Sequence, residues 1–446
     1  VKRVCALAIA FVFLPSVLYA EDGTVTLKEA IHLALSQNSL LRAAEYESSA
    51  ASYGLSASRS RYFPRIYLDE NFTASNSPTR VFMMKLDEGR FTQDDFLINN
   101  LNHPSSTTDF RTAFTLQQPL FDMSIVYGTR MASADAEEKK LALEGRSEDI
   151  GFMVFSSYLE VQKARQALAV AEKAVSDAHE HVRLAKVRME AGTGLKSDEL
   201  RALTFLAEME EQEIAAKNDL TLAGMRLSLA IGGKPGDSLG IREPVTDIPL
   251  GLDSDDILPL ALKNRKDIQI TEKGEEKAAV GVKMATSSFL PTLNGTATYQ
   301  MNDRDTPFGR NNDAWIAGAN LQWELFDGMR RVKERARARA LHNSAQQYLE
   351  QQTKEIAFQV RESLLRREEA AKRLQVARAA CRNAEEGLRL IEKRFAGSLA
   401  TIVEVLDAQT ALNRVRLNLV ESENAYVLAT ARVWHTAGVF LKEVMK

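Results

Sequence analysis

Two hydrophobic rhythms run along this chain, and each occurs twice. Between Asp122 and Glu190 the pattern is helical throughout, with Val154, Val161, Leu168, Val175, Val182 and Met189 recurring every seven residues. Three positions further on lie Ser157, Ala164, Ala171, Ala178 and Ala185. One seam line is large and the other small, which lets partner helices approach closely. An offset of 206 finds the same lines in the second half: Val360, Arg367, Leu374, Cys381, Leu388 and Phe395, then Ser363, Ala370, Ala377, Ala384 and Ile391. Each long helix meets a glycine turn, Ala191–Gly194 or Ala396–Ser398. Each returns with its own stripe, Leu206, Leu220 and Leu227 or Leu412, Leu419, Tyr426 and Val433. The pattern predicts two antiparallel helical hairpins. At 1.5 Å per residue the longest stretch spans roughly 100 Å, so it must form a coiled coil or a projecting bundle.

The second rhythm has period two. Ile66, Leu68, Phe72 and Ala74 share one face of a predicted strand, broken by Glu70, and Tyr67, Asp69, Asn71 and Thr73 share the other. Leu293, Ala297, Tyr299 and Met301 likewise oppose Thr292, Asn294, Thr296, Thr298 and Gln300. The expected strands cover about 65–75, 109–120, 292–302 and 314–325. Each pair lies between a proline motif (Tyr62-Phe63-Pro64, Phe289-Leu290-Pro291) and an aspartate motif (Phe121-Asp122, Phe326-Asp327). The repeat offset is 227 at the prolines and 205 at the aspartates, so the first half carries an extra stretch between its strands. That insert, Asn76 to Thr107, holds Phe82, Met83, Met84, Leu86, Phe91, Phe96 and Leu97. It is too apolar for disorder, and either folds over a barrel mouth or packs on a neighbouring copy. Runs of about ten alternating residues suit tilted strands crossing an outer membrane, or a soluble two-layer sheet.

Composition narrows this choice. Prolines are absent between Pro119 and Pro235 and after Pro307, which favours long helices. Lys2-Arg3, the apolar run Val4–Leu14 and Leu18-Tyr19-Ala20 read as a secretory signal peptide over 1–20. No later run is apolar and long enough for a membrane helix. An exported chain with strands of this length and 100-Å helices points to a barrel. Four strands cannot close without free edges in lipid, so the chain must oligomerise: two copies give eight strands, three give twelve. With a net charge of −3, nothing suggests nucleic-acid binding. His179 and His181 are the only close histidines and face apart on a helix, and no catalytic or phosphate-binding motif occurs. No enzyme activity, cofactor or metal is expected. Cys381 sits on the large seam line as a small buried hydrophobe, and Arg367 interrupts that line as a snorkelling side chain or an ion pair.

The doubled order, with the tip segment Lys393-Arg394-Phe395-Ala396-Gly397-Ser398-Leu399-Ala400-Thr401 through Gln409, resembles the TolC-type outer membrane efflux proteins. The resemblance implies a mainly α fold with a small β part: an internally duplicated α-helical coiled-coil barrel continuous with a transmembrane β-barrel. The repeats would cover 21–231 and 254–438, with an equatorial linker at 232–253 and a C-terminal tail at 439–446. It implies a homotrimer in outer membrane lipid, with twelve strands and a large periplasmic extension. The partners would be a periplasmic adaptor and an inner-membrane pump of RND or ABC type. The function would be passive export for efflux or type I secretion. The alternative is that the chain is itself a coiled-coil adaptor, although adaptors carry one hairpin rather than two.

By the same resemblance, acidic residues past the second turn narrow the periplasmic mouth. Glu404 and Asp407 match those positions, and the 206 offset sets Asp198 opposite Glu404. The hairpin tips, with Arg188, Gly192, Gly194, Arg394, Gly397, Ser398 and Leu399, would meet the adaptor. Two departures stand out. Ser398 occupies a position that is often glycine, and Ala400 stands where some members carry a basic latch, for which Lys196 or Lys393 could substitute.

Overall fold

The computed structural model describes residues 23–234, 236–246, 248–251 and 253–445. The expected signal peptide lies outside these residues. The elements in chain order are β1 (Thr24–Val25), α1 (Leu27–Gln37), α2 (Ser39–Ser60), β2 (Arg65–Ser75), α3 (Pro78–Asp87), α4 (Ile98–Asn102), β3 (Thr107–Phe121), α5 (Met123–Glu190) and α6 (Lys196–Ile231). They continue with β4 (Gly240–Ile241), α7 (Ile257–Asn264), α8 (Lys266–Ser287), β5 (Thr292–Asp303), β6 (Asn312–Gln322), α9 (Arg330–Ala396), α10 (Ile402–Thr436) and α11 (Phe440–Val444). The chain divides into two compact units: residues up to 45 with 143–266 and 353–446, and residues 46–142 with 267–352.

The first unit is helical, and its packing follows the small seam line. Ala164, Ala171, Ala178 and Ala185 on α5 are buried, as are Ala370 and Ala377 on α9. Around them Phe205, Met209, Leu388, Phe395, Ile402, Val405 and Leu412 draw all four hairpin helices into one core. A second core joins α1, α5 and α6 through Ile31, Val154, Tyr158, Leu227 and Ile231. Beside it the linker forms β4, which pairs in parallel with β1. Gly232 ends α6 in the left-handed region, φ 98°, so this glycine run is a helix stop. Cys381 is buried, and burial pushes its thiol above the usual value. Arg367 is neither free nor ion-paired along the seam. Its Nε donates to Thr430 Oγ1 at 3.3 Å and its guanidinium lies 5.8 Å from the Tyr426 ring.

The expected C-terminal tail is instead a packed helix. Gly438 turns the chain at φ 71°, and Phe440 of α11 tucks edge-on between Phe152 and Phe155, 5.4 Å from each. Glu148 accepts the Leu441 amide at 3.0 Å, and Leu441 packs over Gly151, where no side chain intervenes.

The second unit holds a four-stranded antiparallel sheet in the order β2-β3-β5-β6, so the two halves of the chain join at its centre. Its register places the apolar residues of neighbouring strands side by side: Leu68, Phe114, Tyr299 and Trp315 form one row, with Ile66, Leu116, Ala297 and Ala317 in the next. This face stays open, with Ile66, Phe72, Trp315 and Leu321 all exposed. Glu70, which breaks it, accepts a bond from the facing Thr112 hydroxyl. The outer strands β2 and β6 each lack a partner on one side. The last strand stops at Gln322, short of the expected 325, where its partner β5 begins at Thr292 after Pro291; beyond it the Trp323 indole N–H donates to the Phe289 carbonyl at 3.1 Å. The repeated aspartate motifs start the long helices: Asp122 accepts the Ser124 amide at 2.8 Å, and Asp327 accepts both the Arg331 amide at 3.0 Å and its guanidinium at 2.9 Å.

Phe440 is fully buried. Truncation by Phe440→Ala should therefore cost about 3–5 kcal/mol in the helical unit. Urea unfolding followed by helix signal checks this; a loss below about 1 kcal/mol would show that α11 contributes little.

Candidate functional site at the hairpin tips

Each hairpin turns through one residue with positive φ. In the first this is Gly192, at 73°; in the second it is Ser398, at 60°, not the adjacent Gly397. A serine in this region costs roughly 1–2 kcal/mol. Its hydroxyl is held from the other hairpin, since Arg188 Nη2 donates to Ser398 Oγ at 2.7 Å. The same guanidinium lies over the Phe395 ring at 4.2 Å. Arg188 thus braces the second turn from the first. Its repeat counterpart, Arg394, stays within its own turn and donates to the Leu399 carbonyl at 3.2 Å. Gly194 has no room for a side chain against the Arg188 and Met189 backbone, while its amide donates to the Arg188 carbonyl at 3.0 Å. A cleft of about 260 Å³ lies between the turns, bounded by Arg188, Asp198, Phe395 and Thr401 among others. Leu195 and Leu399 project from the tips, 67% and 72% exposed.

The acidic residues occupy matching places. Glu404 closes a capping box on α10: its carboxylate accepts the Thr401 amide at 2.7 Å and the Thr401 hydroxyl at 3.0 Å, and the Glu404 amide donates back at 3.3 Å. The Thr401 amide, first, and then its hydroxyl hold this carboxyl below the usual glutamate value. Asp198 makes the corresponding reach on α6, accepting the Leu195 amide at 3.5 Å, but Leu195 has no hydroxyl to answer it. Asp407 lies one turn on, exposed beside Glu404's helix face. Lys196 pairs with Glu199 on its own helix.

Periodicity gave no sign of a buried polar rung just above the tip. Gln409 is 1% exposed and bridges Asp177 on α5, at 3.3 Å, and Asn413 on α10, at 3.0 Å. Gln162 and Asn424 make a second rung, 3.2 Å apart, with Asn424 also reaching Gln166 at 2.7 Å. None of these residues lies on the seam lines read from the sequence, so the heptad pattern gave no signal for them. Such rungs tie the two hairpins in one register, since a slip would strand buried amides. Among the described residues no group of histidine, cysteine, aspartate or glutamate could hold a metal ion.

The model of one protein family, described as "Outer membrane efflux protein", matches residues 30–233 and 257–439. The chain is 26% identical over 352 residues to the outer membrane efflux protein BepC of Brucella suis, covering 74% of this chain and 73% of BepC. It is 21% identical to the proteases secretion protein PrtF of Dickeya chrysanthemi, covering 94% and 89%. The crystal structure of the outer membrane protein VceC from Vibrio cholerae superposes with a TM-score of 0.78 at 18% identity, over 92% of this chain and 96% of that one.

Glu404→Ala should expose the first turn of α10 and speed amide exchange at Thr401–Val405 several-fold, whereas Glu404→Gln, which keeps a neutral acceptor, should speed it less. Because the folded carboxyl titrates below its unfolded value, the cap is complete above the ordinary glutamate range and is lost as pH falls through the depressed value. Protection at this turn, corrected for the intrinsic pH dependence of amide exchange, should therefore fall only in acid in the parent and be independent of pH in the Ala variant. Arg188→Ala should loosen residues 395–399, and Arg188→Lys should not restore them, since an ammonium cannot stack on Phe395 and reach Ser398 in one plane. Unaltered exchange in Arg188→Ala would remove the brace.

Proposed function

The chain belongs to the outer membrane efflux protein family, and we propose that it works as a passive homotrimeric duct in the outer membrane, docked through its hairpin tips to a periplasmic adaptor and an inner-membrane pump. The observation that carries this reading is the open sheet. Its outward apolar face suits lipid, yet β2 and β6 each leave a row of backbone groups without partners. In hydrocarbon those groups must be paired, and joining β2 of one copy to β6 of the next pairs them all. Three copies give twelve strands and a lumen wide enough for solutes. The doubled hairpins weigh against the chain being an adaptor. Energy for export would come from the pump; the names of relatives extend to both efflux and protease secretion, so either cargo class fits.

The tips fit a gate. Glu404, Asp407 and Asp198, repeated threefold at a narrow mouth, would favour cations. Leu399 and Leu195 offer apolar contacts to an adaptor, with Gly192, Gly194, Arg394, Gly397 and Ser398 shaping the turns that carry them. The Arg188 brace would hold the second hairpin in one packing until docking shifts the population.

Reconstituted in planar bilayers, the protein should form cation-preferring channels. The triple variant Asp198→Asn, Glu404→Gln, Asp407→Asn should lower that preference several-fold while Glu404→Gln keeps the cap. Selectivity identical to the parent would take these residues out of the mouth, and a protein that never conducts would overturn the duct.

A further inference from the structure

The insert between β2 and β3 packs on the sheet through α3, on the face opposite the exposed apolar one, while Phe96, Leu97 and Ile98 stay open. It folds into α3, a short turn of helix and α4, held by its own contacts. Phe91 lies 4.7 Å from Phe82 and 5.0 Å from Phe96, Lys85 pairs with Asp95 at 2.5 Å, and Val81 and Met84 are buried. It sits at the end of the sheet that carries both hairpin loops, because Ser75 pairs with Thr107 and Asn302 with Asn312 there, while the opposite end runs into the helices.

The face it covers is the polar one. Asn71 and Thr73 of β2 pair with Arg111 and Asp109 of β3, and these four line a cavity of about 570 Å³ whose other wall is α3. Beneath it Asp109, Gln300 and Asn302 are buried, with Asn302 Nδ2 donating to both Asp109 oxygens at 3.1 Å. Asn312, on the same face of β6, donates to the Asp87 carbonyl at 3.0 Å, and Gly89, at φ 67°, brings the chain close over it. Glu88, 2% exposed, is paired with Arg90 and fixes the end of α3.

We propose that this insert is a size-selecting constriction inside the outer mouth of the duct. The inference rests on the duct reading: once the apolar face meets lipid, the polar face lines the lumen, and whatever packs on that face occupies it. Three copies would place three inserts in one lumen. Small solutes pass beside them; bulky or folded cargo passes only when α3 leaves the strands. The second half of the chain has only the short connection from Asp303 to Asn312, so the restriction belongs to the first half alone.

The test uses the full chain in planar bilayers, with polyethylene glycols of graded size added on the side of the hairpin loops. Replacing residues 78–105 by an Asn-Gly turn should raise single-channel conductance by about twofold or more and admit larger polymers. Arg90→Ala, which keeps every backbone contact but strands the buried Glu88 carboxylate, should shift both readouts in the same direction. A cysteine at Asn71 should react with a bulky maleimide faster in either variant than in the parent background. Channels of unchanged conductance and unchanged polymer exclusion in Arg90→Ala, with Asn71→Cys labelling as slow as before, overturn the constriction while leaving the duct intact. Absence of any channel from the parent chain overturns the duct itself.

Discussion

Backbone hydrogen bonding at two strand edges is the constraint on which the rest depends. Among the described residues, β2 and β6 present one unpaired edge each, on a sheet whose apolar face is exposed. In water such edges can be solvated; in hydrocarbon each orphaned group costs several kcal/mol. In the proposed duct a four-stranded piece with two such edges is a fragment of a closed surface, a reading that suits the outer membrane efflux protein family. The duplication supplies the fragment economically. Each half brings a hairpin of strands and a hairpin of helices, and the central pairing of β3 with β5 fuses the two.

The helical unit meets a different requirement, close approach along a great length. Alanines at every seventh position let α5 and α9 lie near their returning partners, while Phe205, Phe395 and Leu412 fill the space where the hairpins meet. Small seams hold register weakly, because one alanine resembles the next. The polar rungs at Gln162–Asn424 and Gln409–Asp177 supply the missing register, and Arg188 repeats the device at the turn itself. At the tip these directional contacts sit on the apolar core of Phe205, Phe395, Ile402 and Val405.

Much of this was legible in the sequence because it is periodic. The heptads placed both hairpins, the two-residue alternation placed the strands and their faces, and the offset of 206 matched Asp198 to Glu404 before any coordinates showed both reaching back to their helix starts. What escaped depends on contacts between distant residues. Ser398, not Gly397, takes the left-handed turn, since the Arg188 bond comes from 210 positions away. Arg367 finds Thr430 and Tyr426 on a returning helix. The last residues form α11 because Phe152 and Phe155 offer a slot, which no local pattern announces. The apolar insert could be seen to fold, but its choice of the polar face rests on Asn312 of β6, a strand it does not adjoin in sequence.

Closure between copies can be tested directly at the edges. In one chain β2 and β6 are separated by two strands, about 14 Å, which is too far for a disulfide. Leu68→Cys on β2 can be combined in turn with Trp315→Cys, Ala317→Cys, Ala319→Cys and Leu321→Cys on the matching face of β6. Oxidation of the membrane-assembled protein should give, for at least one pair, a ladder of two and three linked chains and none longer. Single chains alone at every pair, or ladders running past three, would contradict a barrel closed by three copies.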